Sequence, residues 1–278
     1  MNIKRLDPSA SPGAAFGDQL RRSRNERGWT QTQAGEHLGC TGSHLSGVEN
    51  ARKLPGRKFA IRADEVFGTG LTFQILWQAI KNRAFLEGFP EYAAKEAHAT
   101  VLRIFQPRIV HGLLQTAEYA VAWESGNVLR GKASQEQADA RVKLLLDRQR
   151  ILAKPSRPTL SVIMDETCLR RPVGGPLVMI RQLRHLEDLA QQPKTTIQIA
   201  PDSLAEAHPL NHPVTLLTLP GRVVLGYTEG LQRGYLERDS ETVVGWADDY
   251  DQLRVEALPR AASLAMIRRL REEYENAS

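Results

Sequence analysis

The pattern of apolar and polar positions changes character about a third of the way along the 278-residue chain. In the first part, short stretches of helical periodicity predict five helices, over residues 14–27, 31–38, 42–51, 57–67 and 72–83. Gly28, Gly39, Pro55 and Gly68 punctuate them, as residues that stop helices should. Residues 1–13, rich in Pro, Ser, Ala and Gly, are expected to form a flexible leader. Gly88-Phe89-Pro90 marks the expected boundary, giving an all-α domain over 14–87 and a second domain over 88–278.

Beyond that boundary helices and strands mix. Helices are predicted over 115–124, 135–152, 176–191, 240–255 and 259–274, and buried strands over 160–164 and 195–200. The runs 214–219 and 223–228 predict a hairpin, because Pro220-Gly221 between them is a turn dipeptide. The pattern fits an α+β domain with a short, mostly antiparallel sheet. No internal repeat or low-complexity segment interrupts it.

Composition narrows the class. Hydrophobic residues at 41% and charged residues at 25% are those of a soluble globular chain, which excludes collagen-like and wholly disordered readings. Two cysteines, Cys40 and Cys168, make neither a disulfide framework nor a four-thiolate zinc site. No window approaches the roughly 18 apolar residues of a membrane span. No apolar stretch follows the charged N-terminus, so a cytoplasmic protein is expected. Charge is uneven: eleven cations against seven anions over residues 1–70 place most of the net +5 in the first quarter. That excess suits a polyanionic partner, since Lys and Arg gain by releasing counterions from phosphate. A solvated basic surface gives the same count.

The segment 20–55 is the most informative. Thr30-Gln31-Thr32-Gln33 fits a capping box, and Leu38-Gly39 is a helix stop. Only Gly39 and Cys40 precede Thr41, the next N-cap candidate, so two helices must cross at a large angle. On the second helix Leu45 and Val48 share one face, while Ser43, Ser46, Gly47 and Asn50 project away from it. That small, polar outer face fits a major groove and offers hydroxyls to base edges or phosphates. Gly42 and Gly47 each cost roughly 1 kcal/mol relative to Ala inside a helix, so close packing or close docking must offset them.

The run LRRSRNERGWTQTQAGEHLGCTGSHLSGVENARKLP resembles the Xre-type helix-turn-helix of phage-repressor-like regulators. The resemblance implies that Gln31 contacts a phosphate, that Gly42, Ser43 and Gly47 occupy base-reading positions, and that Asn50 contacts the DNA backbone. It also implies an internal salt bridge between Arg24 and Glu49. Glycines stand where many relatives carry long polar side chains, and Ala51 replaces the usual glycine. Base readout is therefore expected to lean on Ser43, Ser46 and His44, or on DNA shape. Arg52 and Lys53 join Gln31 and Asn50 as expected phosphate contacts, and Thr41 completes the expected DNA-binding set. The other reading is a helical hairpin that binds only protein.

Past residue 90 several clusters invite chemistry, none with a motif that stands alone. Asp165-Glu166-Thr167-Cys168 follows a buried strand and reads as an acid, a base and a thiol, or simply as a strand end with a helix cap. His208 and His212 have metal-ligand spacing, but Pro209 and Pro213 remove the helix that would give it meaning. Arg170, Arg171, Gly174 and Gly175 precede a helix start and offer an effector or anion site, or a tight loop with exposed arginines. Trp77, Trp123 and Trp246 sit in helical patterns and read as core or interface. No enzyme, metal or cofactor is expected.

The stretches FQPRIVHGLLQTAEYA, DETCLRRPVGGPLVMIRQLRHLEDLA, HPLNHPVTLLTLP and YTEGLQRGYLERDSETV resemble the C-terminal domain of actinomycete Xre-type regulators of the WhiJ-like, antitoxin-like kind. In that family the domain is regulatory, often with a small partner protein encoded nearby. The resemblance implies a transcriptional regulator that binds double-stranded DNA as a homodimer, set by a small protein partner or a small-molecule ligand. A ligand pocket would be lined by segments 101–115 and 160–169. The alternative is an antitoxin-like interaction module for which DNA binding is secondary.

Overall fold

The computed structural model describes residues 7–8, 11–82, 88–230 and 233–277. Two compact units emerge: residues 1–98 with 230–236, and residues 99–229 with 237–278.

The first unit opens with α1 (Pro12–Glu26). It starts inside the expected leader because the Ser11 hydroxyl accepts from Ala14 N–H and Pro12 presets the first helical φ. The rest of that leader, 1–6 and 9–10, with Lys4 and Arg5, lies outside the described residues. Then come α2 (Gln31–Leu38), α3 (Gly42–Glu49), α4 (Arg57–Phe67) and α5 (Thr72–Asn82). Gly39 and Gly68 end α2 and α4 in the left-handed region, at φ 73° and 68°. Phe16, Leu20, Leu45, Phe67, Phe73 and Leu76 form the core, with Phe16 and Phe73 rings 5.2 Å apart. Asp64 is buried where α5 begins, its carboxylate accepting from Thr69 Oγ1 (2.7 Å), Phe73 N (2.8 Å) and Gln74 N (3.0 Å). Burial pushes its carboxyl up; these donors pull it back.

By compactness the first unit runs on past Gly88-Phe89-Pro90 to residue 98. Pro90 sits in the first turn of a further helix, α6 (Phe89–Glu96), opened by Gly88 at φ 83°. The two compact units divide eleven residues later than the expected boundary.

The second unit is α+β. Its strands are β1 (Val101–Gln106), β2 (Thr159–Asp165), β3 (Thr195–Ala200), β4 (Val214–Thr218) and β5 (Val224–Glu229). These five form one mixed sheet in the order β3-β2-β1-β4-β5. β1–β2 and β2–β3 pair in parallel; β1–β4 and the β4–β5 hairpin pair antiparallel. Strand β1 had no counterpart in the sequence pattern, because Arg103 interrupts its apolar run; that guanidinium is paired with Asp251 (3.3 Å). Its helices are α7 (Ala117–Leu129), α8 (Gln135–Gln149), α9 (Glu166–Arg170), α10 (Pro176–Gln191), α11 (Ser240–Glu256) and α12 (Arg260–Asn276). Helix α12 turns Ser263, Ile267 and Leu270 inward, and Arg268 and Arg271 reach Glu187 of α10 at 3.3 and 2.7 Å. Segments 101–115 and 160–169, expected to line a pocket, are neighbours as β1 and β2, with Leu102, Ile104, Phe105, Leu160, Val162 and Met164 buried.

Candidate nucleic-acid interface

The capping box that opens α2 is complete: Thr30 Oγ1 accepts from Gln33 N–H (3.2 Å), and Gln33 Oε1 accepts from Thr30 N–H (2.9 Å). Thr41 Oγ1 caps α3 by accepting from His44 N–H (3.2 Å). The turn between them folds onto the backbone of α2. A Cβ on Gly35 would lie 2.6 Å from Cys40 O and 3.2 Å from Gly42 N, so only glycine fits. Gly17 does the same for α1, where a Cβ would lie 2.6 Å from Val48 O at the end of α3.

Glu49, the last residue of α3, is fully buried. Arg24 holds its two oxygens in a fork, Nε to Oε1 at 2.6 Å and Nη2 to Oε2 at 3.2 Å, and also donates to Trp29 O (2.8 Å). Gln31 Nε2 adds a third donor to Oε2 at 2.8 Å. Arg21 Nη2 donates to Glu49 O (3.0 Å) and to Asn50 Oδ1 (2.8 Å), placing a cation on the C-terminal carbonyls of α3. Asn50 Nδ2 donates to Ser46 O (2.7 Å). Gln31 and Asn50, read from the sequence as phosphate contacts, thus use these amide groups to hold α3. Arg21 was not singled out by the sequence; its signal is its place three residues before Arg24, on the same helical face.

The outward side of this assembly is a concavity of about 600 Å³ lined by Gln31, Thr32, Gly42, Ser43, Ser46, Gly47, Arg52 and Lys53. Seven of these were read from the sequence; Thr32 is new. Gly42 packs closely on the start of α2: a Cβ there would lie 3.1 Å from Thr32 Oγ1 and 3.3 Å from Thr32 Cα. Packing therefore accounts for this glycine. His44 lies at the flank, its ring edge-on to Phe59 at 6.0 Å. The lining carries hydroxyls, amides and two cations without a carboxylate, a surface suited to phosphate and base edges.

In the second unit, Asp165 ends β2 and accepts from His208 Nε2 at 3.0 Å. Leu210 N–H donates to His208 Nδ1 (3.2 Å), so both ring nitrogens are engaged and the hydrogen sits on Nε2. Burial raises the Asp165 carboxyl, while His208 draws it down. Cys168 is fully buried, donates to Gln106 O (3.2 Å), and has its thiol pushed far up by burial, the opposite of an activated nucleophile. His212 is exposed and does not join His208. No group of three His, Cys, Asp or Glu among the described residues is arranged to hold a metal. Arg170 pairs with Glu166 (2.6 Å) and with Glu273 (3.6 Å). Arg171 and Gly174 are exposed, and Gly174 and Gly175 both have positive φ ahead of α10. The anion site expected there thus has one of its two cations already neutralised.

Comparison with known families places both units. A family described as a helix-turn-helix domain matches residues 15–72. A family described as a domain of unknown function (DUF5753) matches residues 89–269. No curated protein and no solved structure matches the chain. Among the described residues no helix is long and apolar enough to cross a membrane. With its caps, its three-residue turn and its buried Arg24–Glu49 pair, the first unit is the helix-turn-helix of a DNA-binding regulator, and the chain belongs to the DUF5753 family.

Proposed function

We propose that this chain is a sequence-specific transcriptional regulator that binds double-stranded DNA as a dimer, with the C-terminal unit setting its activity. The observation that carries this reading is the polar and basic concavity on the outward side of α3. Ser43 and Ser46 offer hydroxyls to base edges, and Arg52 serves a flanking phosphate. The hub around Glu49 keeps α3 in register for both. A dimer follows from size: an eight-residue helix reads few base pairs, and paired half-sites supply the rest. The resemblance to actinomycete Xre-type regulators of the WhiJ-like kind supports the same assignment.

Selection of bound duplexes from a random DNA pool, with the full chain at moderate salt, tests it. An enriched inverted repeat is the expected result. Absence of enrichment, with binding that vanishes as salt rises, would overturn sequence-specific recognition.

A second reading has an observation of its own. Helix α7 buries only Tyr119 and Ala120, and leaves Val121 at 51% and Leu129 at 88% exposed. Exposed apolar side chains on an otherwise apolar helix favour a protein partner on the C-terminal unit, as the antitoxin-like alternative requires. Co-purification of a small protein with the native chain supports it; recovery of the chain alone from its own cells counts against it.

A further inference from the structure

The outward face of α3 has almost no reach. Its residues there are Gly42, Ser43, Ser46 and Gly47, and the two long cations in the concavity, Arg52 and Lys53, come from the turn that follows the helix. That turn is tightly built. Ala51 sits at φ 53°, in the left-handed region, and the N–H groups of Arg52 and Lys53 both donate to Gly47 O, at 2.9 and 3.1 Å. The chain is thereby turned back over the helix it has just left.

The Lys53 side chain then lies against Gly47. A Cβ on that glycine would stand 3.0 Å from Lys53 Cδ, 3.1 Å from Cγ and 3.5 Å from Cβ. The missing side chain of Gly47 is thus a slot, and the aliphatic stem of Lys53 fills it. No ion pair among the described residues engages the Lys53 ammonium. A lysine stem seated on backbone loses less rotamer freedom on binding than one free in water, so its end group is partly pre-organised.

We propose that Lys53, seated over Gly47, is a specificity-determining residue of the DNA interface, reading a guanine edge in the major groove from the position a recognition-helix side chain would otherwise occupy. An ammonium has only donors to offer. It therefore favours the paired acceptors O6 and N7 of guanine over edges that present an amino group. The proposal rests on the DNA-binding reading above and moves Lys53 from backbone contact to base contact. It also gives Gly47 a reason: a side chain there would press on the lysine stem and shift it from its seat.

The test uses the full chain and duplexes selected by the wild-type protein, with single base-pair variants and an unrelated duplex as reference. Lys53→Met keeps the stem in its slot and removes the charge. It is expected to lower affinity for the selected site roughly 5- to 150-fold, to abolish discrimination at one guanine per half-site, and to weaken the reference duplex far less. Gly47→Ala, with an unchanged thermal melt, is expected to blur preference at that same base pair. Equal weakening of every duplex by Lys53→Met, with the salt slope falling by about one, would make Lys53 a phosphate contact and overturn the proposal. Unchanged affinity and preference would remove it from the interface. Failure of the wild type to enrich any duplex would instead overturn the DNA-binding reading itself.

Discussion

A carboxylate sealed from water needs its charge met on every side. Glu49 has it met by the Arg24 fork, by the Gln31 amide and, at 4.0 Å, by Arg21. Removing one partner leaves a buried charge without compensation. Arg24→Ala is expected to cost about 3–5 kcal/mol in urea unfolding, and a loss under about 1 kcal/mol would refute the hub. Gly35→Ala forces a methyl to 2.6 Å from Cys40 O, with backbone on the other side. A loss of about 1–3 kcal/mol is expected from the displaced turn, measured the same way. Ser43 is exposed and bonds nothing that fixes α3. Ser43→Ala is therefore expected to leave the melt in place and to broaden the sequences recovered from a random DNA pool; an unchanged set of recovered sites would exclude Ser43 from readout.

At the scale of elements, the first unit is held by its ends. Each short helix of the motif buries only a few residues, such as Ala34, Gly35 and Leu38 on α2, so terminal hydrogen bonds matter in proportion. Asp64 is one of these devices: Phe73 N–H, Gln74 N–H and the Thr69 hydroxyl all converge on it at the start of α5. Asp64→Ala strands these donors in or near the core, with an expected cost of about 2 kcal/mol. A calorimetric melt unchanged within a degree would contradict that role. Helix α7 presents another case, an element that leaves Val121 and Leu129 exposed. Leu129→Ser is expected to shift stability by no more than about 0.5 kcal/mol while removing any partner that docks on α7.

For the whole molecule the prediction is one of stoichiometry. Light scattering at the concentrations where DNA is bound is expected to return twice the chain mass. Footprinting is expected to give half-sites about one helical turn apart, roughly 34–36 Å, or a multiple of it. A single chain on a single half-site would dispose of the dimer. Such an interface is isologous, so a substitution in it acts twice and its effect on affinity is read squared.

Much of this was written in local sequence. The helices Gln31–Leu38, Arg57–Phe67 and Pro176–Gln191 fall on the bounds that periodicity and stop residues predict, and the β4–β5 hairpin turns at Pro220-Gly221. Those features depend on residues within a few positions of one another: a hydroxyl and the N–H three residues on, a glycine able to take positive φ. The sequence by itself therefore determined the two-part organisation, the helix-turn-helix and the small polar face of α3. Tertiary structure alone decided which side chains of that face look outward. Gln31 and Asn50 have their amides drawn in by Glu49 and Arg21, while Lys53 is laid across Gly47. It also decided that a strand with an arginine in it lies inside the sheet, where Asp251, 148 residues away, meets the charge. Asp165 finds His208 for the same reason. Pairings between distant residues leave no period in the chain; they exist only once packing has brought the partners within hydrogen-bond reach.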